Sequence, residues 1–481
     1  MTRPHYRAMT LPSQAANKYR PINAISDIAD FIGVAVEAAA FPAHIVRFRN
    51  DRAAATVGLD DLGDAEWVDF FGRFRPLDGS LPQPLALKYH GHQFRAYNPD
   101  IGDGRGFLHA QLLEREEDGG RLLDLGTKGS GQTPYSRFGD GRLTLKGGMR
   151  EILASEMLEA LGVPTSRTFS VIETGEALER NDEPSPTRAS VLVRLSHGHV
   201  RIGSFQRLAT LEEPEHLRRL VDYSLLRLYG EQPGDDPAAQ LYAGVVARCA
   251  DLAAAYMVAG FVHGVLNSDN IAITGESFDY GPWRFAPRWD NDFTAAYFDH
   301  QGLYSFGRQP EAIQWDLAQL AVSLSGLTQE DGLVKAFHSF PDRFRARFDA
   351  RFLWRLGLET DDPFVARELS GAAARAMIRS GMAIDRAFFD WRGGRAVKED
   401  VYADEGWRDV RRLVDRCRAA PGALAHPYWL GEGPCSMLID EVEALWSAID
   451  GRDDWEPLYR KVDAIRIMGD AHGSPPHAMQ Y

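Results

Sequence analysis

The sequence predicts an α+β protein of two lobes, strand-rich first and helical second, on two changes of apolar spacing along the chain. From about residue 85 to 215, short apolar runs alternate with Gly-rich turns, the pattern of an antiparallel sheet. Beyond about 215 the apolar residues recur every three to four positions, the pattern of helices with one buried face.

Taken in order, residues 1–60 are mixed, with the short apolar run Ile45-Val46-Arg47-Phe48, and read as an N-terminal flanking segment packed on the main body. Residues 61–215 form the strand-rich lobe, with strands at Phe107 to Leu113, Leu122 to Leu125 and Ala189 to Leu195. One helix interrupts them. Ile152, Leu153, Met157, Leu158 and Leu161 share a face between Met149 and Leu161, and Gly162 and Pro164 end it. Residues 216–400 form the helical lobe, with helices over 216–230, 237–259 and 311–326. Residues 401–481 read as a C-terminal helical extension. A strand-rich lobe followed by a helical one is the order of a two-lobed protein-kinase-like fold, although other α+β proteins share it.

Composition narrows the function. Apolar residues make up 44% and charged residues 25% of the 481 positions, a balance that supports a large core. The net charge of −14 and the lack of a long basic run argue against nucleic acid as a partner. A local cluster of Lys and Arg can still bind a phosphate on an acidic protein. Cys249, Cys417 and Cys435 are far apart, which disfavours metal fingers and disulfides and fits a reducing compartment. No apolar signal-peptide core opens the chain and no run of eighteen apolar residues occurs, so the expectation is a cytoplasmic protein with no membrane partner.

Five motifs carry chemistry. Gly102-Asp103-Gly104-Arg105-Gly106 places glycines at alternate positions, where backbone amides can approach a phosphate and Arg105 adds a charged donor; a Gly-rich hairpin turn is the plainer reading. Lys128 closes an apolar strand, and Glu151 stands 23 residues later on the following helix, a spacing suited to a strand lysine and helix glutamate joined across a small lobe. Asp140-Gly141 lies in a turn between them, where a phosphate-facing loop could lie. Arg194 and Arg201 flank Ser196-His197-Gly198-His199 and could clamp a phosphate. The most specific motif is His263-Gly264-Val265-Leu266-Asn267-Ser268-Asp269-Asn270, followed by Asp279-Tyr280-Gly281. His263 and Asn270 have the spacing of a kinase catalytic loop, and Asp279 stands where the kinase metal-binding aspartate stands, so Asn270 and Asp279 would share a metal. The loop departs from kinases at Val265, which occupies the position of the usual catalytic aspartate. Asp269 is the nearest carboxylate, fit either to accept a proton or to bind a second metal.

The stretches GHQFRAYNPDIGDGRG, KGSGQTPYSRFGDGR, REILASEML, HGVLNSDNI, DYGP and FDHQGLYSFGRQP, in this order, resemble the SelO (YdiU-type) family of kinase-like protein adenylyltransferases, densely over about 88–160 and 190–316. The resemblance implies ATP bound in a flipped orientation, with AMP moved from its α-phosphate to Ser, Thr or Tyr hydroxyls of protein partners. Carried over by motif, it implies nucleotide contacts at Gly102, Gly104, Arg105, Lys128, Asp140, Gly141, Arg194 and Arg201. Glu151 would pair with Lys128, Asn270 and Asp279 would hold Mg²⁺ or Mn²⁺, and Asp269 would accept the proton. The alternatives are a conventional protein kinase moving the γ-phosphoryl group, or a nucleotide-binding pseudokinase scaffold. The chain departs from the family at Gly147-Gly148-Met149, where Ser-Ser-Ile is usual, and has no cysteine after Cys435 to match the redox Cys-x-x-Cys or selenocysteine motif of longer members.

Other residues have plainer readings. His90 and His92 read as a structural pair, since no third metal ligand is near in sequence. Asp316, after Trp315, reads as a buried helix residue bracing the catalytic loop. The arginines at 343–355 and 408–418 read as solvated helix faces.

Overall fold

The computed structural model describes residues 19–181, 183–395 and 401–476, so the expectations about the opening residues and the closing His477 to Tyr481 fall outside it. Among the described residues, eleven strands lie before residue 197: β1 (Arg20–Ile22), β2 (Gly33–Ala35), β3 (Ile45–Arg49), β4 (Leu85–Leu87), β5 (Gly91–Gln93), β6 (Ala96–Asn98), β7 (Leu108–Leu113), β8 (Leu122–Lys128), β9 (Leu143–Thr144), β10 (Arg167–Leu178) and β11 (Thr187–Ser196). Nine of them form one sheet in the order β2-β4-β7-β8-β11-β10-β3, with β1 added to β7 and β9 to β11, while β5 and β6 make a separate hairpin. The pairings are antiparallel, and β8 and β11 set Lys128 opposite Leu192 and Gly126 opposite Arg194.

The sheet is covered on both faces, which is why its central strands read as continuous apolar runs rather than alternating ones. On one face Leu123, Leu125, Val191 and Val193 pack with Trp67, Phe71 and Phe169. On the other, Leu122 and Leu192 pack with Met149, Ile152 and Leu153 of the helix Leu145–Ala160. Lys128 and Arg194 belong to this second face by the two-residue period of a strand. The first sixty residues, expected only to flank the lobe, supply β1 to β3 of the sheet itself. They are short strands with mixed composition, so periodicity alone does not reveal them.

Helix boundaries follow their caps. The helix expected from Met149 begins at Leu145, because the Thr144 side chain accepts a hydrogen bond from Gly147 N at 3.1 Å; the two glycines of its first turn mask that start in the sequence. Pro237–Ala259 begins at an Asp236 cap and ends at the left-handed Gly260. By length and composition this helix could cross a membrane, an eighteen-residue stretch of it having a mean hydropathy of 1.4, but 83% of that stretch is buried inside the protein. The helix read over 216–230 is α-helical from Pro214 to Tyr223 and π-helical over Ser224–Tyr229. Residues 271–274 make only an isolated bridge between Ala272 and Arg201.

The C-terminal helices Ile439–Arg452 and Glu456–His472 return to the first lobe. Arg466 binds Glu156 with contacts of 2.7 and 2.8 Å, and Glu443 binds Lys146 at 2.8 Å, so both helices are tied to the helix that carries Glu151.

The arginines of helix Phe340–Leu356 are a correction to the sequence reading. Arg347, Arg351 and Arg355 are buried rather than solvated. Arg351 holds Asp251 through contacts of 2.5 and 2.7 Å and donates to Gly162 O at 2.7 Å, while Arg347 reaches Asp251 at 2.6 Å. The partners lie a hundred residues away, and only folding brings them opposite one another.

Burial pushes the Asp251 carboxyl up, but Arg351 and Arg347 outweigh it and hold the group below its usual value. Its stabilisation is therefore present above about pH 4 and lost as the pH falls below that. Asp251→Ala, which removes the carboxylate that Arg347 and Arg351 share, should cost roughly 3–5 kcal/mol at pH 7. The deficit should shrink on acidification, and chemical unfolding at pH 7 and below pH 4 checks both points; a loss under about 1 kcal/mol at pH 7 would contradict the assignment.

Candidate active site

A cleft of about 860 Å³ opens between the lobes. Its floor is the second face of the sheet, its roof the loop 101–106 and the turn 135–142, and its far wall the segments 265–270 and 279–281. The loop lies close to its neighbours: a Cβ on Gly106 would sit 2.1 Å from Thr127 O, and one on Gly102 2.5 Å from the Tyr135 ring. Only glycine allows that approach, so the loop's backbone is held directly over the cleft.

Lys128 Nζ meets Glu151 Oε1 at 2.5 Å and Asp279 Oδ1 at 3.7 Å. Asp279 is also held by Arg194 Nη1 at 2.6 Å and Arg201 Nη1 at 3.2 Å. Burial alone would raise its carboxyl, but Arg194, Lys128 and Arg201 overcome that and hold it well below the usual range. Asp279 is ionised at neutral pH. Its φ of 53° is left-handed, a conformation that a non-glycine residue keeps only when its surroundings enforce it.

Arg201 is buried, its guanidinium stacked over Tyr89 and Phe278 at 4.1 and 4.8 Å. Besides Asp279 it binds Asp269 O at 3.1 Å and Asp103 Oδ1 at 3.4 Å. One side chain thus ties the Gly-rich loop, the 263–270 loop and Asp279 together. His263 is buried too, with Nε2 donating to Phe278 O at 3.1 Å; burial lowers its pKa to about 4, so the ring is neutral and braces the residue before Asp279.

Asp269 is nearly buried, with Oδ2 3.5 Å from Gln93 Nε2 and Oδ1 without a partner. Burial raises its carboxyl to about 6 despite the attraction of Arg201. Asn270 donates Nδ2 to Val265 O at 2.9 Å, which commits its amide hydrogen side and leaves Oδ1 as a free acceptor. Among the described residues no three His, Cys, Asp or Glu side chains converge as a metal cage. Two oxygen donors with the remainder supplied by phosphates and water is nevertheless how a hard cation such as Mg²⁺ is commonly held. The donor set of Asn270 and Asp279 fits that group.

Of the residues singled out in the sequence, Gly102, Gly104, Arg105, Lys128, Asp140, Gly141, Arg194, Asp269, Asn270 and Asp279 line this one cleft. Glu151 lies behind Lys128, and Arg201 lies beneath Asp279 rather than on the cleft surface. Periodicity did not single out Asp103, which accepts from Leu87 N at 3.0 Å as well as pairing with Arg201, or Arg180, which holds Asp140 at 2.7 and 3.1 Å. Arg180 and Asp140 are 40 residues apart on separate turns, and no local signal joins them. His90 and His92 serve structure: His90 Nδ1 meets Tyr97 Oη at 2.6 Å and Gln206 Nε2 meets His92 Nδ1 at 2.7 Å. The hairpin β5–β6 docks on the 263–270 loop, with His92 N donating to Ser268 Oγ and Phe94 N to Asn267 Oδ1. Asp316 is buried as expected, with Oδ2 lacking a partner, and its carboxyl is raised by burial and by Asp269.

Residues 17–398 match the family described as protein adenylyltransferase SelO. The chain is 43% identical to the protein nucleotidyltransferase YdiU of Synechococcus elongatus, over 90% of this chain and 92% of that one. It is 44% identical to the YdiU protein of Gloeobacter violaceus with the same coverage, and 35% identical to that of Pseudarthrobacter chlorophenolicus over 86% of each.

Burial of the Asp269 charge is a cost to the fold that a neutral side chain of the same shape removes. Asp269→Asn should raise the melting stability of the ligand-free protein at pH 7.5, by roughly 1–3 kcal/mol. A lower melting temperature in that variant would show that the carboxylate anchors the loop instead.

Proposed function

The chain belongs to the SelO family of protein adenylyltransferases, and we propose that it transfers AMP from ATP to protein hydroxyls in the cleft between its lobes. The observation that carries this reading is the pairing of a complete nucleotide-charge cluster, Lys128, Glu151, Arg194 and Asp279, with a catalytic loop whose usual carboxylate position is Val265. That loop's remaining free carboxylate is Asp269, one residue before Asn270.

ATP lies in a flipped orientation, with its phosphates under the loop at Gly102, Gly104 and Arg105 and near Asp140 and Gly141. Lys128 and Arg194 face the phosphate oxygens, and Glu151 keeps the Lys128 ammonium on station. Arg201 supports the site from below through Asp279 and Asp103. A divalent cation, Mg²⁺ or Mn²⁺, held by Asn270 and Asp279 would neutralise charge on the phosphate oxygens. The hydroxyl oxygen of a Ser, Thr or Tyr attacks the α-phosphorus, the bond to the bridging α–β oxygen breaks, and pyrophosphate leaves. Asp269 takes the hydroxyl proton on its carboxylate. A carboxyl raised to about 6 suits that role, being ionised at neutral pH yet more basic than a solvated aspartate.

Incubation with ATP labelled at the α- or the γ-phosphate, with Mg²⁺ or Mn²⁺ and a protein extract as acceptor, tests the reading. Label should remain on protein only from α-labelled ATP, and Asp279→Ala should lower the transfer by at least about a hundredfold. Retention of γ-label alone would establish phosphoryl transfer instead, and binding without transfer would indicate a scaffold.

A further inference from the structure

Behind Arg194, away from the cleft, runs a chain of buried polar side chains that the transfer step does not use. Arg194 Nε lies 3.1 Å from His199 Nε2. His199 Nδ1 and the His199 backbone N lie 3.2 and 3.0 Å from Asp124 Oδ2, and Gln111 Nε2 donates to Asp124 Oδ1 at 2.7 Å. Gln111 in turn accepts from Ile25 N at 2.7 Å and reaches Tyr223 Oη at 3.2 Å. Ser196 Oγ lies 3.3 Å from both ring nitrogens. Arg194, His199, Asp124 and Gln111 are each no more than 5% exposed.

Hydrogen-bond chemistry orders this chain. A guanidinium has donors only, so His199 Nε2 must accept, and the proton of a neutral ring then resides on Nδ1, facing the Asp124 carboxylate. Asp124 lies on β8 opposite Ser196, two residues from Gly126, which is opposite Arg194. A Cβ on Gly126 would stand 2.2 Å from His199 Nε2, so the ring reaches Arg194 only because residue 126 has no side chain.

We propose that His199, oriented by Asp124, is a positioning residue for AMP transfer: by accepting the Nε–H of Arg194 it fixes the guanidinium plane, so that its terminal nitrogens serve Asp279 and the nucleotide phosphates. The arrangement mirrors the way a carboxylate orients a histidine that in turn orients a reacting group, with an arginine as the group being aimed. A guanidinium placed this way loses less rotational freedom when it meets a phosphate. The proposal rests on the reading of Arg194 as a nucleotide contact.

The test has two arms. In the wild-type protein, nitrogen NMR of labelled histidine should show His199 as the neutral Nδ1–H tautomer at pH 7.5; the Nε2–H tautomer or a cationic ring overturns the proposal without any variant. In the second arm, ATP affinity with Mg²⁺ is measured for His199→Phe, His199→Gln, Arg194→Ala and the double variant His199→Phe/Arg194→Ala. His199→Phe should bind ATP about tenfold more weakly, His199→Gln, whose amide can still accept from Arg194 and donate to Asp124, should recover most of it, and the Phe substitution should add no loss once Arg194 is gone. An undiminished loss in the Arg194→Ala background, or wild-type affinity in His199→Phe, sinks the role of His199. Wild-type affinity in Arg194→Ala sinks the reading of Arg194 itself, which separates the two failures.

Discussion

The site is organised around one carboxylate, Asp279, held between Lys128 and Arg194 from the sheet and Arg201 from the segment that follows it. Each of the three cations is buried, and a buried cation needs an anionic partner. Asp279 meets that need for all three at once, with Glu151 and Asp103 taking the remaining charge of Lys128 and Arg201. The result is a compact cluster of alternating charge whose members come from both lobes. It fixes the width of the cleft and the orientation of the groups that line it.

A chain of net charge −14 still presents cations locally, with Arg105, Lys128 and Arg194 lining the cleft. The positive groups lie in a concave site with low-dielectric walls, where the local field matters more than the net charge. The left-handed backbone at Asp279 and the unpartnered Oδ1 of Asp269 are unfavourable features concentrated at this place. Their stability comes from elsewhere, chiefly the double-sided packing of the sheet and the core around Pro237–Ala259. The C-terminal helices add to it by tying the Glu151 helix down through Glu156 and Lys146.

Membership of the SelO family gives the reaction, and the geometry gives its residues a division of labour. Arg105, Lys128 and Arg194 face the cleft, whereas Glu151, Arg201, His263 and the His199–Asp124 pair stand behind as supports. Such a division matters for interpreting variants. On the proposed function, loss of a facing group would remove a contact to the nucleotide, and loss of a support would let a facing group turn away.

The strand-rich then helical order, the 237–259 helix and ten cleft residues are legible in the sequence, because apolar period, glycine spacing and the His263-to-Asp279 motif are local properties. The short strands β1 to β3 and the early start of the Glu151 helix are not, since mixed composition and two glycines weaken those local signals. The burial of Arg347 and Arg351 is likewise invisible, because solvated and ion-paired arginines share one pattern until Asp251 is brought opposite them. The same holds at the site. The sequence by itself singled out the groups proposed to bind a nucleotide and a metal. Only the tertiary structure decided that Arg194 faces the cleft while Arg201 lies beneath it, and that His199 and Asp124 stand behind Arg194, because those roles are set by contacts between strands and loops distant along the chain.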